Sequence, residues 1–175
     1  VGPEPLHVLG EAHLQHLVGL VEHQGVQVRE LQAALLQMVV DATGDLKKGT
    51  ATVGVQRQYT GTAGRVENAQ VGVYVVYAAQ AGHAFIDRAL YLPRSWVDDP
   101  ARCRAAGVPA DVVFATKPAL ARAMIARALD AGTPASWVAG DEVYGNDPQL
   151  RADLHERGIG YVLAVARDHQ VRTGI

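Results

Sequence analysis

The sequence predicts a mixed α/β fold in which a mixed sheet is flanked by helices. Apolar, β-branched runs separated by turn residues come first, which favours antiparallel strands. Helical and strand patterns then alternate, which favours parallel βαβ units. At 175 residues, the chain is long enough for one domain with a core and too short for two comfortable ones.

The early strands follow from short apolar segments. Met38–Asp41 predicts a short buried strand that ends in an acid. Val53–Tyr59 predicts either a second strand or an extended loop. Val71–Ala79 has the β-branched and aromatic content of a central strand. A turn at residues 80–83, followed by Ala84–Leu92, completes a predicted hairpin.

Helices and strands alternate in the second half. Thr116 is the predicted N-cap of a helix that ends at residue 130. A strand at 136–139, a helix at 147–158 and a strand at 161–165 follow. This order suits a ribonuclease-H-like sheet. A Rossmann fold is disfavoured because no G-x-G-x-x-G joins the first strand to a helix.

Residues 1–40 differ in character from residues 41–175 and predict a separate N-terminal helical segment. Amphipathic spacing places helices at 13–19 and 28–38. Four of the seven histidines lie in this segment, and three of them, His13, His16 and His23, are the candidates for a metal cluster. No carboxylate or cysteine stands at ligand spacing beside them, so solvated helix histidines are preferred over a metal cluster.

Composition excludes several classes of protein. The formal net charge is −2, so a nucleic-acid role must come from local basic patches. A single cysteine, Cys103, excludes an internal disulfide and fits a reducing compartment. No apolar run approaches the ~20 residues that span a membrane, and no signal peptide is visible. We therefore expect a cytoplasmic protein without a membrane partner.

Two acids that follow apolar strands are the candidate catalytic and metal-binding residues. Asp41 follows the first predicted strand, and Asp141 follows the strand after the first helix. Acids at the ends of adjacent strands can share divalent cations. Either acid alone is more often a solvated turn residue, but their joint occurrence is more informative. Gly140 and Gly145 leave the backbone free to bend around Asp141, which makes it the stronger candidate.

A glycine-rich, basic stretch follows Asp41. Its candidate DNA-binding residues are Lys47, Lys48, Arg57 and Arg65. Such a loop would track a phosphate backbone with salt-dependent affinity and little sequence information. Ordinary solubility residues are an equally good interpretation of these side chains. The stretch is not a P-loop, because GDLKKGT lacks the required spacing.

Three stretches, QRQYTGTAGRVENAQ, LYLPRSW and DEVYG, form a specific combination. Through them, residues 46–171 resemble the catalytic domain of insertion-sequence transposases of the DDE superfamily. The resemblance implies a ribonuclease-H-like fold, a pair of Mg²⁺ or Mn²⁺ ions, and metal-dependent cutting and rejoining of DNA. It also implies the transposon ends as the DNA partner and a homodimer for the full-length family member.

The sequence departs from the acids that this resemblance implies. Asp141 in DEVYG matches the second acid. The first is expected directly before Thr43, where this chain has Ala42, so Asp41 would have to replace it from the neighbouring position. A shift of one residue on a strand turns a side chain to the opposite face. The third acid is expected on a helix beyond Ile175. We therefore expect a truncated or decayed transposase with an incomplete acid site.

Two other functions stay open from the sequence. One is a non-catalytic DNA- or partner-binding module that retains the basic loop. The other is an unrelated Mg²⁺-dependent phosphoesterase on a similar sheet.

Overall fold

A six-stranded mixed sheet with helices packed against it forms the fold. The computed structural model describes residues 36–170. The strands are β1 (Gln37–Leu46), β2 (Gln56–Thr60), β3 (Arg65–Ala79), β4 (Gly82–Tyr91), β5 (Trp137–Gly140) and β6 (Gly160–Leu163). The helices are α1 (Arg94–Val97), α2 (Pro100–Ala105), α3 (Lys117–Asp130), α4 (Glu142–Gly145) and α5 (Pro148–Glu156). The predicted mixed α/β class is confirmed.

Strand β3 organises the antiparallel half of the sheet. It pairs with β1 along one edge, and with β2 and then β4 along the other. Strands β5 and β6 continue the sheet on the far side of β1 in parallel pairing. The strand order is therefore β2-β3-β1-β5-β6, with β4 also on β3. Antiparallel strands come first in the chain and parallel ones afterwards, as the sequence predicts.

Strand β1 is longer than the sequence predicts. It has ten residues instead of ending at Asp41, because the fifteen-residue β3 offers it partners as far as Leu46. The parallel pairing of β1 with β5 is shorter and ends where Val40 meets Gly140. Asp41 is thus not the end of its strand, but it is the first residue beyond the parallel pairing.

The predicted N-terminal helices and the three histidines near them lie outside the described residues. Only the end of the 28–38 helix is described, and there Gln37 and Met38 lie in β1. That end of the prediction is wrong, because pairing with both β3 and β5 already begins at Gln37. The division between residues 1–40 and 41–175 stays a prediction.

Helices α3 and α5 begin at the predicted capping residues. The Thr116 hydroxyl accepts a hydrogen bond from the Ala119 N–H at 3.2 Å, and the Asp147 carboxylate accepts one from the Leu150 N–H at 2.7 Å. Both helices pack on one face of the sheet. Their buried side chains join those of the strands in the main core cluster: Met38, Val40, Val73, Val75, Ala121, Met124, Ile125, Val138, Tyr144, Leu150 and Leu154.

Helices α1 and α2, which the sequence analysis did not predict, build a small second core beside β2. Trp96 is fully buried there, and its indole N–H donates to the Val55 carbonyl at 2.9 Å. The Arg102 guanidinium lies 3.7 Å from the centre of the Trp96 ring and donates to the Thr50 carbonyl at 3.0 Å. These contacts anchor the glycine-rich stretch that follows β1. Among residues 36–170, no helix is long and apolar enough to cross a membrane.

Candidate active site

Asp41 and Asp141 lie side by side where β1 and β5 separate. Each directly follows a residue of the last parallel pair, Val40 and Gly140. Neighbouring strands are about 4.8 Å apart, and equivalent residues of a parallel pair point to the same side. The backbone of Asp141 is still extended, with φ −78° and ψ −173°. The structure therefore brings the two predicted acids together.

The position of Ala42 shows which residue of β1, at position 41 or 42, lies beside Asp141. Ala42 packs against the main core cluster, on the same face as Met38 and Val40. Alternation along β1 turns Asp41 the other way, in register with Asp141. The acid that stands beside Asp141 is consequently the one at position 41, while position 42 faces apolar side chains.

Asp141 caps the short helix α4. Its carboxylate accepts a hydrogen bond from the Val143 N–H at 2.8 Å. Burial raises the pKa of Asp141, and the charge of Glu142 adds to the rise, whereas backbone N–H groups and the Lys117 ammonium oppose it. Since burial dominates, the protein alone does not fully compensate the negative charge at this position.

Gly140 and Gly145 hold the backbone around Asp141 in place by allowing close approach. A Cβ at Gly140 would lie 3.0 Å from a methyl carbon of Val40, and one at Gly145 would collide with the Ala164 carbonyl oxygen. Neither residue has a positive φ. What these two glycines permit is close packing and not a left-handed backbone conformation. They are needed because α4 packs directly on the end of β6 and on β1.

Lys117, which the sequence analysis did not single out, lies beside both acids. It is the first residue of α3 and is half-buried. Burial lowers the pKa of Lys117, and the charges of Asp141 and Asp41 act in the opposite direction. A lysine in the first turn of a helix opposes the helix dipole. This mismatch is the sequence signal that would have marked it as a partner of buried carboxylates.

Tyr144 was also missed. Its side chain is fully buried in the main core cluster. Its hydroxyl has no hydrogen-bond partner among the described residues. Burial raises the pKa of the phenol, and the charges of Asp41 and Asp141 raise it further. The phenol is therefore neutral at ordinary pH and lies within electrostatic range of both carboxylates.

The four basic candidates lie away from the acids. Strand β1 rises about 3.4 Å per residue, so Lys47 lies roughly 20 Å beyond Asp41 along the sheet. Two of the four already have acidic neighbours: Lys47 lies 4.0 Å from Asp45, and Arg65 lies 2.7 Å from Glu67.

The other two basic candidates, Lys48 and Arg57, are exposed. Within the described part of the chain, neither has a carboxylate at ion-pair distance. The structure does not bring the basic set and the acids into one site.

Asp41 and Asp141 fit one hydrated divalent cation. Mg²⁺ is commonly bound through one or two carboxylates and keeps several waters. The neighbouring Tyr144 hydroxyl supplies a buried polar atom without a partner. Within residues 36–170, no group of three or more His, Cys, Asp or Glu residues could hold a metal. Among the described residues, the cation would therefore have two protein ligands, Asp41 and Asp141.

Mg²⁺ in phosphoryl-transfer sites is usually bound through one or two carboxylates together with phosphates of the substrate. The family model described as DDE superfamily endonuclease matches residues 20–174, and the chain belongs to this family. The chain is 30% identical over 136 residues to a probable transposase for insertion sequence element IS701 from Microchaete diplosiphon. That match covers 77% of this chain and 33% of the relative, so the chain spans about a third of the relative's length. No solved structure was found to match. The resemblance to insertion-sequence DDE transposases is confirmed.

Proposed function

We propose that this chain forms the catalytic domain of an insertion-sequence DNA transposase and that Asp41 and Asp141 hold its divalent cation. The observation that carries the proposal is the position of the two acids directly beyond the Val40–Gly140 pair. Family membership supports it, and so does the strand arrangement. One mixed sheet with the antiparallel strands first and the parallel strands afterwards is compatible with a ribonuclease-H-like fold.

In this proposal, Asp41 and Asp141 bind Mg²⁺ or Mn²⁺, which would neutralise negative charge on a phosphate of the DNA backbone. Lys117 lies within electrostatic range of both carboxylates and is a candidate to donate a hydrogen bond to a phosphate oxygen. The close contacts at Gly140 and Gly145 fix the backbone on either side of Asp141.

Lys48 and Arg57 are proposed to bind the DNA backbone at a distance from the chemistry. They are exposed and lie near the far end of β1. A separation of roughly 20 Å corresponds to about six base pairs at ~3.4 Å each. Lys48 and Arg57 would orient the duplex at the transposon end, and they would not contact the phosphate that lies at the acids.

We propose that cleavage by this chain is slow or absent. Ala42 stands where the family resemblance implies a carboxylate, and the described residues supply only two acids to the site. A nicking assay on supercoiled DNA with Mg²⁺ or Mn²⁺ tests this, with Asp141→Ala as the inactive control. Little or no nicking above that control is expected. Robust nicking that disappears in Asp141→Ala would contradict the proposed inactivity while supporting the assignment of the acids.

A non-catalytic DNA-binding role is the second candidate, because exposed Lys48 and Arg57 leave their charges available. DNA binding that weakens with salt and with a Lys48→Ala/Arg57→Ala variant, without any cleavage, would favour it. Arg65→Ala is the matched control, because Glu67 already neutralises that side chain. Family membership leaves no observation in favour of an unrelated phosphoesterase.

A further inference from the structure

We propose that Tyr144 is a positioning residue for the divalent cation, and that its hydroxyl donates a hydrogen bond to the oxygen shell that the ion assembles at Asp41 and Asp141. This inference rests on the proposed function, since it needs a cation at the two acids. The Tyr144 hydroxyl would then belong to the cation site without being an acid or a direct ligand of the ion.

The position of the Tyr144 ring is set by its backbone. Tyr144 lies in α4, three residues after the Asp141 cap, and its N–H donates to the Asp141 carbonyl at 3.1 Å. A Cβ at Gly140 would lie 3.3 Å from the Tyr144 Cβ. In addition, the Arg151 guanidinium donates to the Gly145 carbonyl, which ties the end of α4 to α5. The ring therefore has a fixed place against β1, β5 and the main core.

The hydroxyl is the part of Tyr144 that the core does not explain. The ring is fully buried among apolar side chains, a position that a phenylalanine ring would fill equally well. The hydroxyl has no hydrogen-bond partner among the described residues. An unpaired buried hydroxyl destabilises a fold, and such groups in proteins usually have a partner that is absent from the coordinates.

The surroundings identify the kind of partner. Both carboxylates lie within electrostatic range of the phenol, and burial keeps the phenol protonated. Tyr144 is consequently a buried hydrogen-bond donor that needs an oxygen acceptor, and its place in the helix capped by Asp141 brings it near one of the two acids. A divalent cation bound by two carboxylates keeps several waters, and these waters and the reoriented carboxylate oxygens are such acceptors.

The test compares Mn²⁺ binding by the wild-type chain, Tyr144→Phe and Tyr77→Phe. Binding is measured by calorimetry or by the loss of the electron paramagnetic resonance signal of free Mn²⁺. Tyr77 is the matched control, because it also packs against the main core cluster but lies opposite Met38, away from the acids. We expect Tyr144→Phe to bind Mn²⁺ about tenfold more weakly, while Tyr77→Phe binds as the wild type does.

Thermal melting without metal separates this role from a structural one. Removal of an unpaired buried hydroxyl leaves the melting temperature of metal-free Tyr144→Phe unchanged or higher. A near-ultraviolet difference spectrum on addition of Mg²⁺ should show a tyrosine change in the wild type that is absent in Tyr144→Phe.

Equal Mn²⁺ affinity of wild type and Tyr144→Phe would overturn the inference while leaving the cation site intact. A clear fall in the metal-free melting temperature of Tyr144→Phe would also overturn the inference. The hydroxyl would then have a hydrogen-bond partner in the metal-free protein. If the wild type itself binds no Mn²⁺, the proposed cation site fails, and the role of Tyr144 fails with it.

Discussion

Asp41 and Asp141 occupy equivalent positions on neighbouring strands, each one residue beyond the last parallel pair of β1 and β5. Strand β1 continues past Asp41 because β3 still pairs with it, whereas β5 ends at Gly140 and turns into α4. The two carboxylates therefore lie where the sheet opens between a strand that continues and one that stops.

The raised pKa of Asp141 predicts that its charge destabilises the metal-free fold. Because burial raises the pKa, the folded chain binds the proton more tightly than the unfolded chain does. Asp141→Asn keeps a good N-cap side chain for α4 and removes the charge. At neutral pH, we expect the variant to melt at a higher temperature than the wild type.

The pH dependence of that difference has a definite sign. The cost of the Asp141 charge is fully present above the raised pKa and is relieved as pH falls through it. The gap between Asp141→Asn and wild type should close as pH approaches the ordinary carboxyl value of 3.8. Melting curves from neutral to acidic pH measure this. A gap that widens on acidification would show that Asp141 is stabilised by its charge.

Lys117 is predicted to compete with a metal cation for the two acids. Burial lowers the pKa of Lys117 more than the charges of Asp141 and Asp41 raise it, so its ammonium costs the metal-free fold free energy. We therefore expect the free energy of unfolding of Lys117→Met without metal to be equal to or higher than that of the wild type. Mn²⁺ should then stabilise the variant more than it stabilises the wild type. Denaturant titrations with and without Mn²⁺ provide the measurement. Lys48→Met is the control, because Lys48 is exposed and remote from the acids.

Gly145 is predicted to tolerate no side chain. A Cβ there would collide with the Ala164 carbonyl, a backbone atom that cannot move aside cheaply. Gly145→Ala should lower the free energy of unfolding by about 3 kcal/mol. Gly49→Ala is the control, because a Cβ at Gly49 has nothing within 4 Å. Similar stability of the two variants would show that α4 does not pack against β6 as described.

Ala42→Asp tests the register of the first acid. Position 42 packs against apolar side chains of the main core cluster, so a carboxylate there should cost about 1–3 kcal/mol of stability without metal. In an Asp41→Asn background, Ala42→Asp should fail to restore Mn²⁺ binding. Restored binding in that double variant would mean that the cation is held from the core face of β1.

The elements with local signals were predictable from the sequence. Thr116 and the Asp147–Pro148 pair mark helix starts through short-range hydrogen bonds, and Gly158 marks a helix end with its φ of +68°. The β3–β4 hairpin is equally local, since its strands are separated by two residues.

The remaining features depend on distant parts of the chain. Strand β1 extends through Gly44 and Asp45, poor strand residues, because β3 supplies partners and because Gly44 leaves room for the Thr60 side chain. The occurrence of an acid directly after a strand nominated Asp41 and Asp141, and both lie directly beyond the Val40–Gly140 pair. Lys117 and Tyr144 were missed because only tertiary packing brings a helix start and a buried ring to those acids.

A Mn²⁺ titration of four chains tests whether Asp41 and Asp141 together hold a cation: wild type, Asp41→Asn, Asp141→Asn and Asp45→Asn. Asp45 is exposed near the end of β1 and serves as the control for loss of one negative charge. We expect saturable binding by the wild type and Asp45→Asn, and its loss in both Asp41→Asn and Asp141→Asn. Undiminished binding by Asp41→Asn would contradict the claim that Asp41 and Asp141 together hold the cation.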